Sequence, residues 1–196
     1  ANLGSDHPAI IESWARAAVE GRPGPKGVIC PHEMVAISAA HGYAQVSGQA
    51  QAVLVHVDVG TQNLGAGVHN ASRGRVPVFI FAGSSPFTMD GELPGSRDEY
   101  IHFLQDTFDQ RGILREYVKW HADLHTAQNL RQWVYRGMQI AQTDPKGPVY
   151  VVGAREILEQ VVTEELAYPY APPSDKTALP EEGVKVLCDA LVRAET

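Results

Sequence analysis

The chain has 196 residues, 44% of them hydrophobic and 20% charged, which suits a globular domain and is too apolar for a disordered chain. Its 16 basic and 23 acidic residues give a formal net charge of −7. Because the basic residues form no run or stripe, we expect no binding to nucleic acid or to anionic membranes.

Helical and strand patterns alternate along the first part of the chain. Apolar residues recur at helical spacing in the helices, and the strands are continuous apolar runs of the kind that is buried on both faces. The predicted elements are a helix over residues 8–20, a short strand ending at Cys30, a helix over 33–47, a strand over 52–57, a helix over 61–72 and a strand over 76–82.

The second part begins with residues 83–100, which are rich in Gly, Pro and acidic residues and show no periodicity. Loops of this length inside a domain are often functional. A strand over residues 117–120, a helix over 127–141 and a strand over 149–152 are predicted next.

Alternating strands and helices predict an α/β fold, in which a parallel sheet is covered by helices on both faces to form three layers. We predict one domain over residues 1–167, a Pro-rich linker over 168–180, and the start of a further domain over 181–196, whose apolar residues have helical spacing.

Several enzyme motifs are absent. His32-Glu33 lacks the second histidine of a zinc-protease helix, because Ala36 stands in its place. The glycines near position 60 lack both the Lys-Ser/Thr of a phosphate loop and dinucleotide-binding spacing. The eight histidines show no metal-ligand spacing, so we predict no metal bound by the chain itself.

One set of segments does resemble a known family. Cys30-Pro31-His32-Glu33, followed by Ala39 to Ala44, is similar to the glutamate motif of thiamine diphosphate-dependent enzymes, in the branch of acetolactate synthase and benzoylformate decarboxylase. Further segments agree in order, and they are Gly4-Ser5, Gly60 to Asn63 with Gly67, Arg75 to Val78, Ala82-Gly83, Gln105-Asp106 and Pro145 to Val151. The resemblance covers nearly the whole chain and implies the N-terminal, pyrimidine-binding domain.

The resemblance gives Glu33 its meaning. In enzymes of this kind a glutamate hydrogen-bonds the aminopyrimidine ring and favours the tautomer that activates the cofactor. A carboxyl at a helix N-terminus, partly shielded from water, suits such an exchange. Taken alone, Glu33 would be explained as a first-turn acid that interacts with the helix dipole; with the other segments, we predict that it is catalytic.

The resemblance also implies further site residues. Gly4, Ser5, Gly60 and Asn63 are expected to bind cofactor, and Ser5 and Gln105 are expected to lie near substrate. Two alternatives stay open, because Ser5 and Asn63 are also good helix caps. Gly67 is expected to serve close packing.

The long-loop region and the strand predicted over residues 52–57 hold three more candidates. Arg97 and His102 are candidates for binding an acidic substrate. His56 stands where relatives often have a small hydroxyl residue, so the substrate of a named relative cannot be transferred to this chain.

The family's other half-site, a Gly-Asp-Gly followed by Asn that holds Mg²⁺ and the diphosphate, has no counterpart in the sequence. The resemblance implies that a diphosphate domain outside this chain holds both, and that the chain lacks the family's first helix and most of its first strand. We expect a chain inactive by itself that forms a homodimer or tetramer through the cofactor interface. Flavin occurs in some relatives, but this segment does not support it.

Four functions stay open at this point, and one of them, a generic flavodoxin-like nucleotide binder, would require tight binding of a nucleotide by this chain alone. The leading hypothesis is part of an enzyme that decarboxylates or ligates 2-oxo acids. The chain could instead be a natural short subunit of a split enzyme, or a non-catalytic binding module that kept the fold, although the presence of Glu33 speaks against the module.

The sequence also bears on location. Its apolar stretches fall short of the roughly 20 residues that cross a bilayer, and no signal segment opens the chain. Cys30 and Cys188 are far apart, which favours a reduced protein over a disulfide framework. We expect an intracellular, most simply cytoplasmic protein with no membrane association, and an organelle stays open.

Overall fold

A computed structural model describes residues 1–163, 166, 168–174 and 178–194. Within them, four parallel strands form one sheet in the order β1-β2-β4-β3. The strands are β1 Gln51–Val55, β2 Val78–Ser84, β3 Trp120–Asp123 and β4 Val149–Ala154. The predicted parallel sheet is thus confirmed.

Helices cover both faces of the sheet. They are α1 Pro8–Val19, α2 Glu33–Ser47, α3 Val57–Arg73, α4 Leu130–Gln142, α5 Arg155–Leu158 and α6 Glu181–Arg193. Helices α2 and α3 pack on one face, and α4 packs on the other, where Ile10 of α1 also contacts the core. The predicted three-layer α/β architecture is confirmed.

The side chains of β2 divide between two cores, as expected for a strand buried on both faces. Val78 and Ile80 join the core under α2 and α3, whereas Phe79 and Phe81 join the core under α4. The apolar run that predicted this strand therefore supplies both layers of packing.

Two predicted strands differ from the structure. The ladder of β3 begins at Trp120, because the preceding residues form 3-10 turns at Arg111–Ile113 and Arg115–Tyr117. Tyr117 and Val118 still pack against the first core, so their apolar character marks burial rather than a strand. The run ending at Cys30 forms no strand; its backbone bonds Ala1 and the Asn2 side chain, and Val28 and Ile29 are exposed.

Helix α3 begins four residues earlier than predicted, at Val57, and is kinked at Gly65, where φ is 39°. The strand before it ends at Val55, so His56 occupies the junction of strand and helix. The early start places the 57–64 segment directly over the carboxyl edge of the sheet.

The predicted last helix is confirmed as α6, whose described residues are all at least partly exposed. Residues 168–174 and 178–180 have no regular structure. The predicted domain and linker ranges include some residues outside the described ones, which are 164, 165, 167, 175–177, 195 and 196. No helix in the described ranges is long and apolar enough to span a bilayer.

We expect Gly67→Ala to lower the free energy of unfolding by about 1–3 kcal/mol, because the new methyl would lie 2.3 Å from Cγ2 of the buried Ile37. Gly42→Ala on α2 is the matched control: nothing lies within 4 Å of the added methyl, so it should stabilise the helix by about 1 kcal/mol. Urea denaturation of both variants checks the difference, and equal effects would contradict close packing of α2 on α3.

Candidate active site at the carboxyl edge of the sheet

The predicted site residues gather where the parallel strands end. A small notch there is lined by Ser5, His56 and Gln105, among others. It shares Ser84, Pro86 and Gln105 with a larger cleft of about 590 Å³. Ligands of open α/β sheets bind at this edge, so the position suits a site.

Glu33 is the first residue of α2 and its side chain is only 10% exposed. Asn63 Nδ2 donates a hydrogen bond of 3.0 Å to Glu33 Oε2. His32 Nδ1 accepts from Met34 N at 3.1 Å and thereby caps the helix, which leaves the Glu33 carboxylate free for other contacts. The positive end of the helix dipole favours a carboxylate at this position.

Gly60 keeps the other Glu33 oxygen approachable. A Cβ at Gly60 would lie 3.4 Å from Glu33 Oε1 and 3.2 Å from Val55 Cβ. The backbone N of Gly60 donates to His56 O at 2.8 Å, so the turn of α3 that carries Gly60 is fixed to the end of β1. The missing side chain leaves space beside Oε1 that a larger residue would fill.

His56 is held from two sides. Its Nδ1 lies 2.7 Å from Asp6 Oδ1, and its Nε2 lies 3.1 Å from Gln105 Nε2. The hydrogen bond with Asp6 raises the pKa of His56, against the opposing effect of burial, and nearby carboxylates including Glu33 add to the rise. Burial alone would raise the pKa of Asp6, but its hydrogen bonds with His56 and His7 outweigh burial and hold that pKa well below its usual range.

Gly4 and Ser5 lie beside His56. A Cβ at Gly4 would overlap the His56 ring, 2.2 Å from Nδ1, so only glycine admits the imidazole there. Ser5 lines the notch, and His7 rather than Ser5 is the N-cap residue of α1. The capping alternative for Ser5 is therefore wrong.

The capping alternative for Asn63 is also wrong. Asn63 lies inside α3, which starts at Val57, and its amide is used on Glu33 instead. Gly67 contacts Ile37 as expected of a packing residue.

The two candidates for binding an acidic substrate differ in their surroundings. Arg97 lines the larger cleft, but it donates to both carboxylate oxygens of Asp106, at 2.8 and 2.9 Å, which balances its charge within the chain. His102 is buried and lines the notch, where its Nδ1 lies 3.3 Å from Asp98 Oδ1.

A buried polar network lies next to the larger cleft. The hydroxyl of Tyr150 is 2.7 Å from Thr61 Oγ1 and accepts from Gln110 Nε2 at 3.2 Å. Gln110 Nε2 also donates to Gly83 O at 2.7 Å. Burial raises the pKa of Tyr150 to about 12, so its hydroxyl stays protonated. The hydroxyl thereby links β4, which carries Tyr150, to Thr61 of α3 and to Gln110.

The predicted residues thus form two neighbouring groups. Glu33, Gly60 and Asn63 form the first and line neither the notch nor the larger cleft. The second group is Gly4, Ser5, His56 and Gln105. The residues from Val55 to Gly60 join the groups, since they contain both His56 and the glycine beside Glu33.

Sequence reasoning missed Asp6, the residue that holds His56. The available signal was a carboxylate directly after the Gly4-Ser5 turn, together with a histidine at the end of β1. Asp6 lies next to His56 and to Gly83 at the end of β2, but nothing local in the sequence pairs residues 50 positions apart.

The chain resembles known proteins in sequence and in fold. The sequence model of the family described as thiamine pyrophosphate enzyme, N-terminal TPP binding domain, matches residues 10–113, more than half of the chain. The 4-hydroxybenzoylformate decarboxylase of Rhodococcus jostii RHA1, which is thiamine diphosphate-dependent, matches over 97% of this chain and 33% of its own, with a TM-score of 0.69 and 21% identity, and so shares the fold.

Two curated relatives illustrate the range. The acetolactate synthase large subunit of Haemophilus influenzae is 29% identical over 159 residues, which are 80% of this chain and 25% of that subunit. Benzoylformate decarboxylase of Pseudomonas aeruginosa is 27% identical over 120 residues, 61% of this chain and 21% of that enzyme. The chain spans between 15% and 25% of the length of such curated relatives. By the match over more than half of its length, the chain belongs to the thiamine pyrophosphate enzyme family and carries that family's N-terminal TPP binding domain.

Proposed function

We propose that this chain supplies the pyrimidine-binding half of a cofactor site in a thiamine diphosphate-dependent enzyme that decarboxylates or ligates 2-oxo acids. One observation carries the proposal. Asn63 holds one Glu33 oxygen, while the space left by Gly60 keeps the other approachable. The relatedness to acetolactate synthases and to benzoylformate decarboxylase supports the substrate class.

The residues present fit the cofactor. Bound thiamine diphosphate would supply a carbanion at its thiazolium ring. An aminopyrimidine ring has nitrogen atoms with which a carboxyl group can exchange a proton. Asn63 bonds Glu33 Oε2, so Oε1 is the oxygen that would face the ring. The role of Glu33 is to hold and exchange that proton, and the role of Asn63 is to fix the carboxylate that does so.

The second group of residues would face the substrate. Ser5 and Gln105 offer hydroxyl and amide hydrogen bonds in the notch, and Gln105 Nε2 lies 3.1 Å from His56 Nε2. Gly4 makes room for the His56 ring. These polar groups suit the oxygen atoms of a 2-oxo acid.

The proposal extends to groups outside the chain. Because the sequence contains no Gly-Asp-Gly, we assign Mg²⁺ and the diphosphate to a separate domain, and any flavin likewise. Assembly into a dimer or tetramer across the cofactor is supported by exposed apolar side chains near the larger cleft. These are Tyr100, Ile101, Phe103, Leu104 and Phe108. An intracellular location remains part of the proposal.

In the complete protein, we expect Glu33→Gln to lower kcat on 2-oxo acids by about 10²- to 10⁴-fold, because the amide cannot exchange the proton. Turnover is measured with a panel of 2-oxo acids in the presence of thiamine diphosphate and Mg²⁺. Glu12→Gln on the exposed face of α1 is the control and should leave kcat unchanged. A wild-type protein that consumes none of the 2-oxo acids, or a Glu33→Gln variant with full activity, contradicts the proposal.

Asn63→Asp should lower the free energy of unfolding by about 2 kcal/mol at pH 7, because a hydrogen bond to a carboxylate becomes a contact between two carboxylates. Asn70→Asp, exposed on the same helix, should have little effect. Urea denaturation of both variants at pH 7 decides; equal losses in the two variants count against the contact with Glu33.

A further inference from the structure

We propose that Asp6 is a positioning residue for His56: it holds the imidazole by Nδ1 so that Nε2 faces the notch and exchanges a proton with bound substrate. This inference rests on the proposed function. In the step, the imidazolium gives its Nε2 proton to a substrate atom and becomes neutral, while Nδ1–H stays bonded to Asp6. The reverse transfer returns the proton.

Both carboxylate oxygens of Asp6 are engaged. Oδ1 lies 2.7 Å from His56 Nδ1 and 2.6 Å from His7 Nδ1, and Oδ2 accepts from Val57 N at 3.3 Å. Asp6 is 4% exposed, whereas the His56 side chain is 26% exposed. The carboxylate is therefore fixed inside the protein, and the imidazole that it holds reaches the notch.

Two glycines make room for this pair. A Cβ at Gly83, near the end of β2, would lie 1.9 Å from Asp6 Oδ2. A Cβ at Gly4 would lie 2.2 Å from His56 Nδ1. Any other residue at either position would displace one partner, so the backbone on both sides is adapted to an Asp–His pair.

Gln105 suits both protonation states of His56. Its amide nitrogen donates to a bare Nε2, and its amide oxygen accepts from a protonated Nε2 once the amide rotates. A group that gains and loses a proton requires a neighbour that can hydrogen-bond to both of its forms.

The charges around His56 are mostly negative. Asp6, which also contacts His7, faces it from the turn before α1, Glu33 from α2 and Asp58 from α3. His102 and Arg155 line the same notch from the long loop and from α5. The hydrogen bond with Asp6 is the largest influence and raises the pKa of His56, so imidazolium persists to a higher pH than in a free histidine.

The test is Asp6→Asn in the complete protein, with Asp58→Asn as matched control. Asp58 influences His56 through charge alone, without a hydrogen bond. Hydrogen–deuterium exchange at the imidazole carbon between the two nitrogens, read by mass spectrometry across pH, gives the pKa of His56 without requiring turnover. Asp6→Asn should lower that pKa by about 1, and Asp58→Asn should lower it less.

Turnover supplies the second readout. If imidazolium is the active form, kcat falls as pH rises through the pKa of His56, so in Asp6→Asn the fall should move to lower pH by the same amount. An unchanged His56 pKa, or a reduced kcat with an unmoved pH profile, overturns the proposal and leaves Asp6 a structural residue. A wild-type protein that turns over no 2-oxo acid would contradict the proposed function alone. The exchange measurement would then still show whether Asp6 raises the pKa of His56.

If Asp6→Asn fails to fold, Gly83→Ala gives the same test with the charge retained, because its methyl displaces the Asp6 carboxylate. We expect the pKa of His56 to fall in this variant too. If a folded Gly83→Ala protein, with the carboxylate displaced, keeps the wild-type pKa of His56, the proposal is also overturned.

Discussion

The close approach of α2 to α3 is the constraint on which the candidate site depends. Gly67 has no side chain, so Ile37 packs directly against the α3 backbone. That contact brings Asn63 of α3 within 3.0 Å of the Glu33 carboxylate at the start of α2. The orientation of the proposed catalytic carboxylate therefore follows from helix packing in the core.

The same helix connects the two groups of site residues. Helix α3 begins directly after His56, and its first turn contains Gly60, which stands beside Glu33. A displacement of this turn would move the imidazole and the space next to the carboxylate together. Asp6 attaches to the same turn through Val57 N, so the start of the chain helps to fix it.

Sequence patterns predict those elements in which buried residues recur regularly along the whole strand or helix. The apolar runs predict β2 and β4 because each strand is buried on both faces, and the spacing of apolar residues predicts α2. The predicted start of β3 was wrong because the partly buried side chains of Tyr117 and Val118 lie at the end of a 3-10 turn and just after it. Glu33 was identified through resemblance, but its hydrogen bond with Asn63 and the pairing of Asp6 with His56 join residues 30 and 50 positions apart, which no local pattern encodes.

The most direct test of the central claim is a crystal structure of the complete protein with thiamine diphosphate bound. We predict that Glu33 Oε1 lies within about 3 Å of a nitrogen of the pyrimidine ring, with Asn63 still bonded to Oε2. A pyrimidine ring bound elsewhere, or a Glu33 carboxylate that contacts only Asn63, would contradict the assignment of this chain as the pyrimidine-binding half of the site.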